Sequence, residues 1–160
     1  MGQRYSELSQ ELIQFIWNQS IFFVATAPAE GRVNLSPKGL ETLRVLTPRR
    51  FAYLDYVGSG AETIAHLREN GRIVIMFCAF QGPPKIVRFH GRGEVLEPMN
   101  PEYQRLRPLF PAVPSGRAII TVSIHRISDS CGFGVPLYEY ERQRSQLTDW
   151  ASRKGEDGLR

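Results

Sequence analysis

Residues 51–70 read FAYLDYVGSGAETIAHLREN, a strand-like run followed by a turn and a helix-like run. Residues 51–55 favour a strand and residues 61–70 favour a helix, with Gly71 where a helix C-terminal glycine belongs. The turn between them carries Gly58 and Gly60, which permit close approach to the backbone. The N–H groups at a helix N-terminus, with their partial positive charge, suit a phosphate. The stretch therefore indicates either a phosphate-binding turn or a well-capped helix after a tight turn.

Ser59 and Glu62 have the spacing of a capping box, in which the two side chains satisfy the first N–H groups of the helix. Two common phosphate-binding motifs are excluded. Thr63 stands where the dinucleotide-binding fingerprint has its third glycine, and the Gly-Lys-Ser/Thr of a P-loop is missing. A phosphate site at this turn would therefore be of another kind.

Strand-forming segments surround this stretch on both sides. Residues 21–27 and 33–36, with Pro28 and Gly31 between them, predict a hairpin. Residues 44–46 are short and extended, and longer strands are predicted over residues 72–80, 85–96 and 118–127. Strands and helices do not alternate regularly, which argues against a parallel sheet. The sequence predicts a mainly β (α+β) fold, a six-stranded antiparallel split β-barrel with a few peripheral helices.

The first helix, of about three turns, is predicted by apolar residues at helical spacing, namely Leu8, Leu12, Phe15 and Ile16. Ser6 is its expected cap. Asn100 and Pro101 have the cap and first-turn proline of another helix. Gly91 and Gly93 lie within the strand predicted over residues 85–96, and they suggest sharp bending or close backbone contact.

The chain has 160 residues, 42% of them hydrophobic and 22% charged, which fits one globular domain. We assign residues 1–136 to the barrel and residues 137–160 to a C-terminal tail of the same domain. The tail is polar except for a stripe of Leu147, Trp150 and Ala151. This stripe predicts a helix that packs on the barrel or on a partner.

The formal net charge is +4, and the basic residues are scattered along the sequence. Nucleic-acid-binding proteins usually concentrate their charge, so we expect no nucleic-acid partner. The N-terminus lacks the apolar core of a signal peptide, and no apolar stretch approaches the roughly 20 residues that span a bilayer. These features predict a cytoplasmic protein with no membrane partner. His66, His90 and His125 lack ligand spacing, so no metal site is expected.

A second site-like stretch, residues 34–39, reads NLSPKG at a predicted strand end. Asn34, Ser36 and Lys38 offer an amide, a hydroxyl and an ammonium group. These groups suit the edge of a heteroaromatic ring or an anion. A polar edge strand that ends in a proline turn is the alternative.

Residues 131–136 read CGFGVP, which predicts an irregular loop. A nucleophilic Cys131 would need a nearby base, and His90 or His125 would serve only if the fold brings one of them close. The role of Cys131 stays open at this point.

These features in this order resemble the FMN-binding split-barrel family of pyridoxamine 5'-phosphate oxidase-like proteins. The resemblance runs from the first helix to about Ile127 and is strongest over residues 33–39 and 51–80. Residues 52–70 are similar to the family's strand, turn and helix that pass the flavin ring and reach its phosphate. Residues 87–95 are similar to the family's next strand.

The resemblance implies a homodimer with two FMN molecules in clefts between the subunits. Three residues of the NLSPKG stretch would lie along the flavin ring, the next strand would flank the ring or ribityl chain, and Ser59 would approach the phosphate. Lys38 stands where the family's oxidases carry a lysine near ring and substrate. The implied cofactor-binding residues are Asn34, Leu35, Ser36, Lys38, Leu54, Asp55, Ser59, Gly60, Thr63 and Arg88.

The sequence departs from the family pattern at two places. Gly60 and Ala61 replace an arginine–lysine pair that holds the phosphate, so another basic residue is needed; the candidates are Lys38, Lys85, Arg88 and Arg92. The basic C-terminal signature that holds pyridoxamine phosphate is also missing.

The implied function is that of a flavin-dependent oxidoreductase acting on a small-molecule substrate. A non-catalytic flavin or small-ligand sensor, and a dimeric interaction module with an empty pocket, are the alternatives. F420 or haem in place of FMN is also open.

Overall fold

The computed structural model describes residues 2–58, 61–113 and 115–158. Its strands are β1 Arg4–Tyr5, β2 Phe22–Thr26, β3 Asn34–Lys38, β4 Leu43–Thr47, β5 Arg50–Tyr56, β6 Arg72–Cys78, β7 Ile86–Leu96 and β8 Gly116–Ser130. Its helices are α1 Gln10–Trp17, α2 Ala61–Asn70, α3 Pro101–Leu106 with a 3₁₀ turn over Arg107–Leu109, and α4 Gln146–Gly158.

The mainly β, antiparallel fold is confirmed, with eight strands in the described chain instead of the six predicted. Two short strands account for the difference. The two residues of β1 pair with β8, and β4 pairs with β5. A strand of two residues is too short to show the period-two pattern by which strands are found in a sequence.

The sheet has the order β3-β2-β6-β7-β8-β5-β4, and each of its ladders is antiparallel. The strands β3 and β4 are therefore its two ends. The long strands β7 and β8 bend at a register shift between His90 and Gly91. A Cβ on Gly91 would lie 2.6 Å from the carbonyl oxygen of Ser123, so the close backbone contact predicted for this glycine is confirmed.

Aromatic side chains fill the barrel interior. Phe77 packs against Phe22 and Phe89 with ring centroids 5.7 and 5.5 Å apart, and Phe22 meets Tyr53 edge-on at 5.8 Å. All four rings are buried. They fix β2, β5, β6 and β7 relative to one another, and so they position the edge strand β3 beside β5.

The helix ends follow the sequence signals, with one exception. Gly71 ends α2 at φ 69°, and its N–H donates to the Leu67 carbonyl. Asn100 caps α3, as predicted. The prediction for α1 was wrong in two respects: it has eight residues, about two turns, and Ser9 rather than Ser6 accepts the Leu12 N–H. Ser9 is the better cap because it lies directly before the helix.

The C-terminal tail packs on the barrel. The Tyr138 N–H donates to the Phe80 carbonyl at 2.8 Å. The Gln143 amide accepts from the Leu40 N–H and donates to the Ser20 carbonyl, both at 3.3 Å. In α4, Ala151 is fully buried. Across the described ranges, no helix is both long enough and apolar enough to cross a membrane.

Candidate functional site

A buried carboxylate lies between β3 and β5. Asp55 of β5 is 0% exposed, and Lys38 of β3 donates to its Oδ1 from Nζ at 3.1 Å. Arg117 donates to Oδ2 from Nη2 at 2.5 Å and from Nε at 3.1 Å. Both carboxylate oxygens therefore have charged partners, as an ionised group without water contact requires.

Two cations on one carboxylate leave an excess of positive charge at this position. The side chains of Lys38 and Arg117 are 17% and 25% exposed, so both reach the surface while Asp55 does not. Lys38 Nζ also lies 5.9 Å from the centroid of the Tyr53 ring. Burial, and then the charge of Asp55, raise the pKa of the Tyr53 hydroxyl well above its usual value. The excess charge favours an anionic ligand at the surface.

A row of polar side chains runs along one face of β3. Asn34, Ser36 and Lys38 alternate with Leu35 and Pro37, which are exposed on the other face. The row lies opposite Thr26, Val24 and Phe22 of β2, which are buried. The structure therefore brings three of the predicted β3 residues together and separates Leu35, 64% exposed, from them.

Asn34 ties this row to α2. Its Nδ2 donates to Thr63 Oγ1 at 2.8 Å, and Thr63 is fully buried in the first turn of the helix. One turn further on, His66 Nδ1 lies 3.0 Å from Thr26 Oγ1. The two predicted residues Asn34 and Thr63 are thus in direct contact.

Ser36, in the middle of the row, has an unpaired hydroxyl. Its Oγ is shielded from solvent, and no partner for it exists within the described ranges. Shielded polar groups normally have hydrogen-bond partners, because leaving one unpaired costs roughly 1–3 kcal/mol. The unpaired Ser36 hydroxyl is therefore a natural contact for a bound polar group.

Two adjoining cavities open beside Lys38. One, of about 310 Å³, is lined by Lys38, Leu54, Tyr56, Gly58 and Leu147 among others. The other, of about 700 Å³, shares Lys38 and Leu147 and extends beneath the tail. Together they offer a volume that suits a cofactor or small molecule.

Comparison with known proteins places this chain in a family. A family model for pyridoxamine 5'-phosphate oxidase matches residues 8–131. The chain belongs to the pyridoxamine 5'-phosphate oxidase family. Over 140 residues it is 44% identical to the pyridoxamine 5'-phosphate oxidase family protein ustO of Aspergillus flavus, which covers 84% of this chain and 56% of that protein. The chain thus spans little more than half the length of that curated relative.

Solved structures show the same fold as this pyridoxamine 5'-phosphate oxidase family member. HupZ of Group A Streptococcus is 25% identical with a TM-score of 0.60, over 75% of this chain and 91% of that one. A Lactobacillus delbrueckii protein, provisionally named a pyridoxamine 5'-phosphate oxidase, is 18% identical with a TM-score of 0.60, over 77% and 94%. The second likeness concerns the fold alone.

The remaining predicted residues are Leu54, Arg88, Ser59 and Gly60. Leu54 lines the smaller cavity, although it is almost wholly buried in the core. Arg88 lies on β7, three strands from β3, and donates to Ser130 Oγ at 3.0 Å. Ser59 and Gly60 lie outside the described residues. Residues 2–58, 61–113 and 115–158 hold no cluster of three or more His, Cys, Asp or Glu side chains that would bind a metal.

Arg117 was not among the residues predicted from the sequence of this pyridoxamine 5'-phosphate oxidase family member. The last strand was predicted to begin at Ala118, whereas β8 begins at Gly116. Pairing of β8 with β5 places Arg117 beside Asp55. The available signal was a single arginine directly before the apolar run of residues 118–120.

Proposed function

We propose that this chain binds FMN in the gap between β3 and β5 and acts, as a homodimer, as a flavin-dependent oxidoreductase on a small molecule. One observation carries the proposal: the polar row of β3 converges with the buried Asp55 and its two cations beside a cavity. Membership of the pyridoxamine 5'-phosphate oxidase family supports it. The substrate is not specified by these residues.

The side chains in the gap fit the chemistry of FMN. Its ring edge offers nitrogen and carbonyl groups, for which the Asn34 amide, the Ser36 hydroxyl and the Lys38 ammonium group are suitable partners. The unpaired Ser36 hydroxyl would gain a hydrogen bond. Its phosphate is anionic, which suits the excess positive charge of Lys38 and Arg117 over Asp55.

Bound FMN would supply hydride or electron transfer. The residues of this chain would bind and orient it. Asp55 holds Lys38 and Arg117 in place, and both cations would stabilise negative charge on the ring or on the phosphate. Leu54 and Tyr56 would exclude water from one side of the cavity. Thr63, together with Ser59 and Gly60, is proposed to bind the phosphate group of FMN.

We do not expect Arg88 to bind FMN in the gap between β3 and β5 of its own chain. Its neighbours Val87 and Phe89 are buried in the core, so Arg88 lies on the outer face of the sheet, whereas the β3 row lies on the core-facing side. Three strand spacings, about 14 Å, also separate β7 from β3. Lys38 and Arg117 are the better candidates for the missing basic pair.

Titration of the purified, flavin-free chain with FMN tests the binding site. We expect one FMN per chain, with quenched flavin fluorescence, on a dimer identified by light scattering. Lys38→Met should weaken binding by about tenfold and Ser36→Ala by about fivefold, since one hydrogen bond contributes about 1 kcal/mol. Lys85→Met is the matched control. Lys85 was a candidate for the phosphate, but it is paired with Asp129 and lines a different cavity from the two beside Lys38. Absence of FMN binding, or equal losses in the control, would refute the site.

One observation favours the alternative of a flavin-binding protein without catalysis. Both oxygens of Asp55 are engaged by cations, so this carboxylate is not free to act as a base. Addition of NADH or NADPH to the FMN-loaded protein separates the two functions. Bleaching of the flavin band with turnover in oxygen supports the oxidoreductase, and a stable oxidised spectrum supports the binding protein.

A further inference from the structure

The fold gathers positive charge that is scattered in the sequence. On the sheet formed by β6, β7 and β8, Arg72 pairs with Arg92, and His90 lies beside Arg126. Arg88 follows on β7, two residues from His90. We call this surface the basic face; its members are Arg72, Arg88, His90, Arg92, His125 and Arg126.

The basic face points away from the barrel core. On β7, Val87 and Phe89 are buried, whereas Arg88 and His90 between them are half-exposed. Arg72, Arg92 and Arg126 are exposed. Within the described ranges, no carboxylate lies at ion-pair distance from any of its four arginines. Glu94 also lies on this face of β7, two residues beyond Arg92, but the four arginines leave the face with a net positive charge. A face of this charge attracts anions.

A bulge in β8 lies beside a cavity in the basic face. His90 pairs with Arg126 while Gly91 pairs with Ile124, so His125 is the extra residue of β8. Arg72, His90 and His125 line a cavity of about 350 Å³. Burial lowers the pKa of His90, and the nearby charges of Arg126, His125 and Arg88 lower it further. His90 is therefore a neutral hydrogen-bonding group, and the positive charge comes from the arginines. The strand register and the shared cavity place these side chains close enough to act on a single ligand.

We propose that the basic face is a second binding site, which takes the oligophosphate group of a small molecule. Arg72, His90 and His125 hold it in the cavity, and Arg92 and Arg126 flank it. Guanidinium groups bind phosphate oxygens in pairs, and Arg88 and Arg92 are about 13 Å apart along β7. Four guanidinium groups on one face suit a ligand with several phosphate groups better than a single carboxylate. The site lies on the face of the sheet opposite the β3 row.

Calorimetric titration of the FMN-saturated protein with inorganic tripolyphosphate tests this site. We expect saturable binding that weakens with added salt, because charge neutralisation releases counterions. The double variant Arg72→Gln/Arg126→Gln should weaken it by about tenfold or more. The double variant Arg68→Gln/Arg105→Gln removes the same charge from exposed arginines outside the basic face and should leave binding unchanged.

Parallel titrations with ATP and adenosine distinguish the source of the phosphates. Tighter binding of ATP than of tripolyphosphate assigns a nucleotide, and equal binding assigns the phosphate chain alone. Failure of tripolyphosphate to bind at millimolar concentration overturns the proposal, as does an equal loss in the control variant. Displacement of tripolyphosphate by FMN also overturns it, because the basic face would then be part of the flavin site.

Discussion

Lys38 Nζ and Asp55 Oδ1 lie 3.1 Å apart and join two strands that share no backbone ladder in the described structure. The strand β3 is one end of the sheet, and β5 lies next to the other end. This ion pair therefore closes the split of the barrel with side chains. The same contact would bound the proposed flavin site, so stability and ligand binding are expected to depend on it together.

Asp55→Asn should destabilise the protein by about 3 kcal/mol, because it leaves two cations beside a buried neutral amide. Urea unfolding followed by circular dichroism measures the change. The variant should also lose FMN affinity, since Lys38 and Arg117 would no longer be held in place.

Glu97→Gln is the control for this substitution. It breaks the pair of Glu97 with Arg68, in which both side chains are more than half exposed. Such pairs contribute less than about 1 kcal/mol. If Asp55→Asn and Glu97→Gln lower the free energy of unfolding by similar amounts, the buried Asp55 does not hold the two strands together as described.

Thr63→Val removes the hydroxyl that accepts from Asn34 and keeps the side-chain shape. We expect a loss of about 1 kcal/mol in the free energy of unfolding and a severalfold weaker affinity for FMN, because the Asn34 amide is then free to turn. Thr47→Val, at an exposed threonine of β4 whose hydroxyl accepts only the Arg49 N–H at 3.3 Å, is the comparison: it should leave FMN affinity unchanged and lower stability less than Thr63→Val does. Full FMN affinity in Thr63→Val would show that this end of α2 does not serve the cofactor.

Tyr5→Phe tests whether the hydrogen bond from Tyr5 to Asp129 stabilises the N-terminal strand β1 in alkaline solution. Tyr5 donates to Asp129 Oδ2 at 2.6 Å, and this hydrogen bond, with burial and the negative charge, raises the pKa of Tyr5 from 10.0 to about 12. The folded protein keeps the proton that the unfolded chain loses first, so this contribution to stability is present below pH 10 and disappears between pH 10 and about 12.

The free-energy difference between the native chain and Tyr5→Phe should therefore be constant below pH 10 and shrink above it. Urea unfolding at several pH values measures it. Tyr140→Phe, at an exposed tyrosine, should show no such trend. A difference that stays constant to pH 12 would rule out the hydrogen bond as its source.

Gln143→Ala removes both hydrogen bonds by which the tail holds Leu40 and Ser20. Because these contacts are partly solvated, we expect a loss in stability of less than about 1 kcal/mol but faster cleavage of residues 139–145 by a protease. Gln14→Ala, in an exposed pair on α1, should leave the cleavage rate unchanged. If the protease cleaves the tail of Gln143→Ala no faster than the tail of the native chain, other contacts hold the tail in place.

Local signals in the sequence were sufficient for much of the fold. The end of α2 at Gly71, the cap at Asn100 and the close contact at Gly91 each depend on a few neighbouring residues, and the structure has all three. The alternation along β3 also separates Leu35 from Asn34 and Ser36, although the sequence analysis grouped them.

Features that depend on strand register could not be predicted from the sequence. Arg117 reaches Asp55 because β8 pairs with β5, and the two residues are 62 positions apart. The same holds for the basic face, where scattered charge in the chain becomes a cluster on the sheet. Register is set by the packing of the whole core, which composition and spacing do not reveal.

The complete burial of Ala151 bears on how the protein can be produced. A fragment cut at residue 131, where the family match ends, would lack Tyr138, whose ring packs on Phe80, and Leu147, which lines the same cavity as Ile21. The apolar patch left bare at Phe80 and Ile21 would favour aggregation during expression. A fragment chosen by family boundaries alone is therefore expected to be less soluble than one that keeps α4.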